Sequence, residues 1–280
     1  MNSIRTLLVF MIVVFSTGGV QGDTRLLGRE AARADRATAS VLLIGGGKTP
    51  PAATRAFIQA AGGPDARIVV LAQTEENPRE GAPESVELFR AQGATAVEAP
   101  VDLPTAQVLS LLEKARGVWI PGGDQNRFMT LFPESSGVPA AIRAVYRRGG
   151  VVGGTSAGAS LMGDLMPTGA KPDSLGLQSG SCPVQAGLRI LPNTIIDQHF
   201  LARNRMQRLL AAVLDHPKCW GIGLDEGAWV TLQGNVLKVA SGQVVLMRIA
   251  KPVRQQGALL GTAGVTLRIL LPGEKAAFSP

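Results

Sequence analysis

A serine, two histidines and a few carboxylates are spaced in this chain so that they could do chemistry together. Gly154-Thr155-Ser156-Ala157-Gly158 fits the pattern G-x-S-x-G. Val151 and Val152 ahead of it read as the end of a buried strand, and Ala159-Ser160-Leu161-Met162 behind it can start a helix. A strand, a tight turn and a helix in that order hold a serine in a strained conformation, with its Oγ raised above the sheet. The backbone N–H of Ala157, at the start of the helix, then faces a developing oxyanion. Such a serine needs a base, and the base needs an orienting carboxylate. His216 sits in Asp215-His216-Pro217, a helix-end turn, whereas His199 follows a β-rich apolar stretch and precedes a helix. Asp225 and Glu226 follow the apolar run Gly221-Ile222-Gly223-Leu224. Chain order alone does not choose between these two carboxylates, nor does it exclude Asp197.

The elements that must position these groups can be read from apolar periodicity. Strands are expected at 41–44, 67–72, 94–98 and 118–120, and helices at 51–61, 85–92, 103–115 and 138–147. Strands alternating with helices at this spacing predict a doubly wound, mostly parallel α/β sheet. Its functional loops would lie at the carboxyl ends of the strands. The turn Gly45-Gly46-Gly47, the turn Gly122-Gly123-Asp124-Gln125 and Ser156 would all fall on that edge. Residues 73–80 read as a loop, and 167–187, rich in Gly, Pro and Ser, as a long surface loop. A helix is expected over 202–214. Alternating runs beyond Ala228 predict antiparallel strands added near the C-terminus. GGGKTP at 45–50 lacks the spacing of both dinucleotide and Walker loops. A tight turn beneath a substrate pocket is the better reading.

The 280 residues are 45% hydrophobic, with a net charge of +7 and a pI near 10.0. That length suits one large α/β domain. A basic chain favours acidic partners, but without basic runs interleaved with aromatics nucleic acid is a weak reading. Arg5, the apolar run Leu7–Phe15 and the small or polar stretch STGGVQG have the layout of a secretory signal peptide cleaved after Gly22. Nine strongly apolar residues are too few to span a bilayer, which needs about 20. The expected organisation is a signal peptide at 1–22, a tether at 23–40 and a single domain at 41–280, exported and free of the membrane after cleavage. Export makes a disulfide between Cys182 and Cys219 chemically possible without proving one. No metal-ligand cluster accompanies them, so a zinc site would lack its usual ligands.

The motifs GGG at 45–47, PGGDQ at 121–125, GGTSAGA at 153–159, DQHFLARNRMQRL at 197–209 and GIGLDE at 221–226 resemble those of the cyanophycinases. These belong to the serine peptidase family that also holds the aspartyl dipeptidases. The resemblance covers roughly residues 40 to 250. It implies a fold like the class I glutamine amidotransferases, with Ser156 as nucleophile, His199 as base and Glu226 as orienting carboxylate. It further implies an oxyanion hole from the N–H groups of Gly123 and Ala157. Gln125, Asp197, Gln198, Arg203, Arg205 and Arg208 match positions lining the substrate pocket. No metal or organic cofactor is implied.

The implied reaction is acyl transfer on cyanophycin, a poly-aspartate with arginine on each β-carboxyl, releasing β-Asp-Arg. A guanidinium fork suits the carboxylates and carbonyls of such a substrate. On an ideal helix, Arg203 and Arg208 lie about 140° apart and Arg205 faces elsewhere, so the three cannot share one face. Substrate arginines would need carboxylates, among which Glu75, Glu76, Asp164, Asp173 and Asp197 are candidates. Three rivals stand beside this reading: an exopeptidase for aspartyl or isoaspartyl dipeptides, a non-catalytic peptide-binding protein, and an esterase. The order Ser156, His199, Glu226 counts against the esterase, whose usual order is Ser, Asp, His. A homodimer is left open.

Overall fold

The computed structural model describes residues 39–169 and 176–278, all within the unit Ala37–Pro280. The expected signal peptide, the tether up to residue 38 and Asp173 lie outside the described residues. The first half follows the β/α alternation: β1 (Ser40–Ile44), α1 (Pro51–Ala61), β2 (Ile68–Val70), α2 (Pro78–Arg90), β3 (Val97–Glu98), α3 (Thr105–Lys114), β4 (Gly117–Ile120), α4 (Gln125–Leu131), α5 (Val138–Arg147), β5 (Val151–Thr155) and α6 (Ala157–Ser160). The second half is richer in strands: β6 (Gly163–Pro167), β7 (Val184–Ala186), β8 (Leu191–Gln198), α7 (Met206–Asp215), β9 (Trp220–Leu224), β10 (Trp229–Gln233), β11 (Val236–Ser241), β12 (Val244–Ile249), β13 (Val253–Gln256), β14 (Leu259–Thr262), β15 (Val265–Leu270) and β16 (Lys275–Ala277).

The strands form two main sheets. The first has the order β16-β11-β10-β1-β5-β4-β2-β3, in which β1 to β5 are mutually parallel. β10, β11 and β16 extend it antiparallel, as the alternating tail predicts. The second has the order β15-β12-β9-β8-β6-β7, with β6, β8 and β9 parallel. β13 and β14 pair as a separate hairpin. All five residues of β1 are buried, as expected of a strand covered on both faces. One core cluster draws Val41, Leu43 and Val152 from the first sheet and Ile196, Ile222 and Leu246 from the second. Burying these side chains ties the two sheets together through apolar surface removed from water.

Several elements differ from the sequence expectation. α2 begins at Pro78 rather than 85, because its buried stripe starts only at Gly81 and Ala82 and its first turn is polar. Proline at that start is well placed, since its missing N–H would have no intrahelical partner. α4 was not anticipated. It starts where Asp124 caps the backbone N–H groups of Asn126 (2.7 Å) and Arg127 (3.4 Å). The loop expected over 167–187 contains β7, and β6 precedes it. α7 starts at Met206 instead of 202. The Oδ1 of Asp225 accepts the N–H groups of Leu201 (3.0 Å) and Ala202 (2.9 Å), and Asn204 has φ +52°. That local bonding holds residues 201–205 in a turn.

Candidate active site

Ser156 stands at the end of β5, level with the end of β1, where Ile44 pairs with Thr155. Its backbone has φ +53° and ψ −116°, a conformation rare for a residue with a side chain. Three bonds hold it there. Its N–H donates to Ile44 O (3.0 Å), and its carbonyl accepts from Ala159 N (3.0 Å) and Ser160 N (3.1 Å). The neighbouring turn presses close: the N–H of Gly158 donates to Pro121 O at 3.1 Å. A Cβ on Gly158 would stand 1.9 Å from Ile120 O, so only glycine lets β4 approach the start of α6. A Cβ on Gly122 would be 3.6 Å from Ser156 Cβ, which puts the 121–125 turn beside the serine. That turn is fixed by Thr74, whose carbonyl accepts from Asp124 N (2.7 Å) and Arg127 Nη1 (2.8 Å).

His199 follows β8 in the second sheet, also at a positive φ of +46°. Its N–H donates to Gly45 O at 2.7 Å, across from one sheet to the other. The ring is buried, its Nε2 2.9 Å from Ser156 Oγ and its Nδ1 2.5 Å from Glu226 Oε1. With the proton on Nδ1 facing the carboxylate, Nε2 presents a lone pair to the serine hydroxyl. Gln198 Oε1, at 3.4 Å, is a second and longer acceptor for the same hydroxyl. Glu226 remains largely open to solvent. The three carboxylates left open by chain order thus separate by contact. Glu226 meets the imidazole, Asp225 caps the 201–202 turn, and Asp197 holds two arginines. His216 lies at the C-terminal end of α7, its carbonyl accepting from Cys219 N (2.8 Å).

The positions matched by resemblance divide in two. Asp197 is 0% exposed. Arg208 bonds both its oxygens, Nε to Oδ2 at 2.9 Å and Nη2 to Oδ1. Arg205 Nη1 reaches Gln198 O at 2.7 Å and Asp197 Oδ1 at 3.5 Å. Burial and the repulsion of Arg208 lower the Arg205 pKa. Bonded to both carboxylate oxygens, Arg208 is the principal partner of Asp197, whose bond and charge raise the Arg208 pKa against the pull of burial. Arg203 is exposed. Gln125 is buried and donates to Pro167 O at 2.6 Å.

Among the other carboxylates, Glu76 is exposed, and Asp164 pairs with Arg189 at 3.7 Å. Glu75 has its pKa raised by burial and by the neighbouring charge of Glu84. Cys182 and Cys219 are both buried and unpaired, and burial above all pushes their thiols up to about 12 and about 11. Among the described residues, no three His, Cys, Asp or Glu side chains gather as a metal would need, and no helix is long and apolar enough to cross a membrane.

The supports beneath the site were the least visible part of the sequence. Thr74 and Arg127 carried no motif. The signal that would have found the Asp124 cap is an aspartate directly ahead of the segment Gln125–Leu131, a recognised helix start.

Comparisons with known proteins give the family and the fold. The model of peptidase family S51 matches residues 41–240. The cyanophycinase of Geminocystis herdmanii is 34% identical over 209 residues, 69% of this chain and 74% of that protein. The cyanophycinase of Synechococcus elongatus is 31% identical over 198 residues, 68% of this chain; the match spans only 61% of that relative's length. The crystal structure of a peptidase from an acI-B1 Actinobacterium superposes with a TM-score of 0.61 at 20% identity, covering 86% of this chain and 97% of that one, a likeness of fold. With the family match covering most of the chain, including Ser156, His199 and Glu226, the chain belongs to peptidase family S51.

Proposed function

We propose that this protein is an exported serine peptidase that hydrolyses cyanophycin to β-Asp-Arg dipeptides. The observation that carries the reading is the continuous contact from Ser156 Oγ through His199 to Glu226, built on a strained turn. That the Geminocystis and Synechococcus relatives are cyanophycinases supports the substrate. The signal-like segment at 1–22 supports export.

In this mechanism Ser156 Oγ attacks the carbonyl carbon of an α-peptide bond next to a β-linked aspartyl residue. His199 Nε2 takes the hydroxyl proton while Glu226 stabilises the imidazolium formed. The N–H groups of Gly123 and Ala157 receive the oxyanion. The imidazolium then protonates the leaving amine, and water resolves the acyl-enzyme by the reverse proton path. Exposed Arg203 and the Gln198 side chain are the proposed contacts for substrate carboxylates and carbonyls.

The test is to incubate the protein lacking residues 1–22, and its Ser156→Ala variant, with cyanophycin and identify products by mass spectrometry. Release of β-Asp-Arg by the unmodified protein alone is expected. Cleavage of β-aspartyl dipeptides without breakdown of the polymer would favour the second reading, a dipeptidase. Export favours that reading too, since it separates the enzyme from a polymer stored inside cells.

A further inference from the structure

The peptide unit between Gln198 and His199 is gripped at both ends. Its carbonyl accepts from Arg205 Nη1 at 2.7 Å, and its N–H donates to Gly45 O at 2.7 Å. One residue earlier, the Gln198 N–H donates to Asp197 Oδ1 at 2.9 Å. Asp197 itself is locked by the fork of Arg208 and touched by Arg205. The side chains of Arg205 and Arg208 are 16% and 12% exposed, and that of Asp197 is 0%. Charges meant for a peptide would stand open towards it. These three satisfy one another and the backbone.

The backbone they hold is one that would not stay in place unaided. A non-glycine residue at φ +46° persists only where its surroundings over-determine it. We infer that Asp197, Arg205 and Arg208 are positioning residues: they fix the Gln198–His199 peptide and so keep the imidazole at Ser156, and they do not contact substrate. The inference rests on the reading of Ser156 as nucleophile and His199 as its base. It leaves Arg203 as the one exposed side chain of the three arginines.

A small sulfonyl fluoride, which carries neither aspartate nor arginine, reads the Ser156–His199 geometry without the substrate subsites. The experiment compares wild type, Arg205→Ala and Arg203→Ala for the rate of sulfonylation per folded molecule and for kcat and KM on cyanophycin. Arg205→Ala is expected to lose about tenfold or more in both kcat and the sulfonylation rate, with KM within about twofold. Arg203→Ala is expected to raise KM and leave the sulfonylation rate unchanged. A tenfold rise in KM for Arg205→Ala with an unchanged sulfonylation rate would overturn the inference. If Arg205→Ala does not fold, Arg205→Lys keeps one donor for Gln198 O, and its kcat and sulfonylation rate should fall together by a smaller factor; a change in KM alone overturns the inference equally. Wild type that resists the reagent at Ser156 would instead sink the nucleophile reading itself.

Discussion

The imidazole of His199 fills the space that a side chain on Gly46 would occupy. A Cβ at Gly46 would stand 2.4 Å from Cε1 and 2.5 Å from Nε2, and Gly46 has φ +111°. The triple-glycine turn after β1 is therefore the seat of the His199 ring. Gly46→Ala is expected to push the ring away from Ser156 and lower kcat by roughly a hundredfold. Sulfonylation of Ser156 should slow in step. A variant that keeps wild-type kcat would show that the ring is not seated there during turnover.

Glu226 and Asp225 are neighbours with different work, which a pair of variants separates. Glu226→Ala removes the partner of Nδ1 and is expected to cost about 10²-fold or more in kcat with little change in melting temperature. Asp225→Ala strips the acceptor from Leu201 and Ala202 and is expected to cost about 1–3 kcal/mol of stability. Thermal unfolding and steady-state rates on the same two proteins decide the matter, and reversed effects would exchange their roles.

Cys182 and Cys219 should be chemically silent in the folded protein. The thiolate is the reactive form, and burial raises both pKa values to about 12 and about 11. At pH 8, iodoacetamide is expected to leave both untouched under native conditions and to label both once the chain is unfolded, without reductant. Labelling that needs reductant after unfolding would mean that the two are bridged.

Glu75 gives stability a dependence on pH with a definite sign. Its carboxyl is raised in the folded state, by burial first and by Glu84 second. Stability from this group is complete below the unfolded carboxylate pKa and is lost as pH rises through the folded value. Glu75→Gln should thus raise the melting temperature near pH 7 and leave it unchanged at about pH 3. An equal change at both values would point to packing against Gly81 rather than to charge.

The turn at Ser156 was legible because everything that makes it is local: β5, the turn and the start of α6 are contiguous in sequence. β1, α1 and α5 were legible for the same reason, each being an apolar pattern closed by proline or glycine. The choice of Glu226 was not, since Asp225 precedes it directly and which one meets His199 depends on how that turn lies against Gly46, whose carbonyl accepts the Gly227 N–H at 3.0 Å. The helical placement of the arginines was not legible for a different reason. Placing Arg203, Arg205 and Arg208 on one helical wheel presumes a helix that starts before them, and α7 starts only at Met206. The second sheet was hidden because β8 and β9 are apolar runs like β1 and β4, and an apolar run does not say which neighbour it pairs with.

Ser156 rides on one sheet and His199 on the other, joined across the seam by the bond from His199 N to Gly45 O. The shortest continuous stretch that contains Ser156, its backbone partner Ile44, His199 and Glu226 runs from Ile44 to Glu226. A growing or partly folded chain therefore holds Ser156 without His199, or His199 without Ser156, until the two sheets dock. Activity becomes a reporter of docking: it should disappear wherever the seam opens, even while each sheet retains its own hydrogen bonds. For an enzyme that cuts peptide bonds, this delays the capacity to cut until there is little loose chain of its own left to attack.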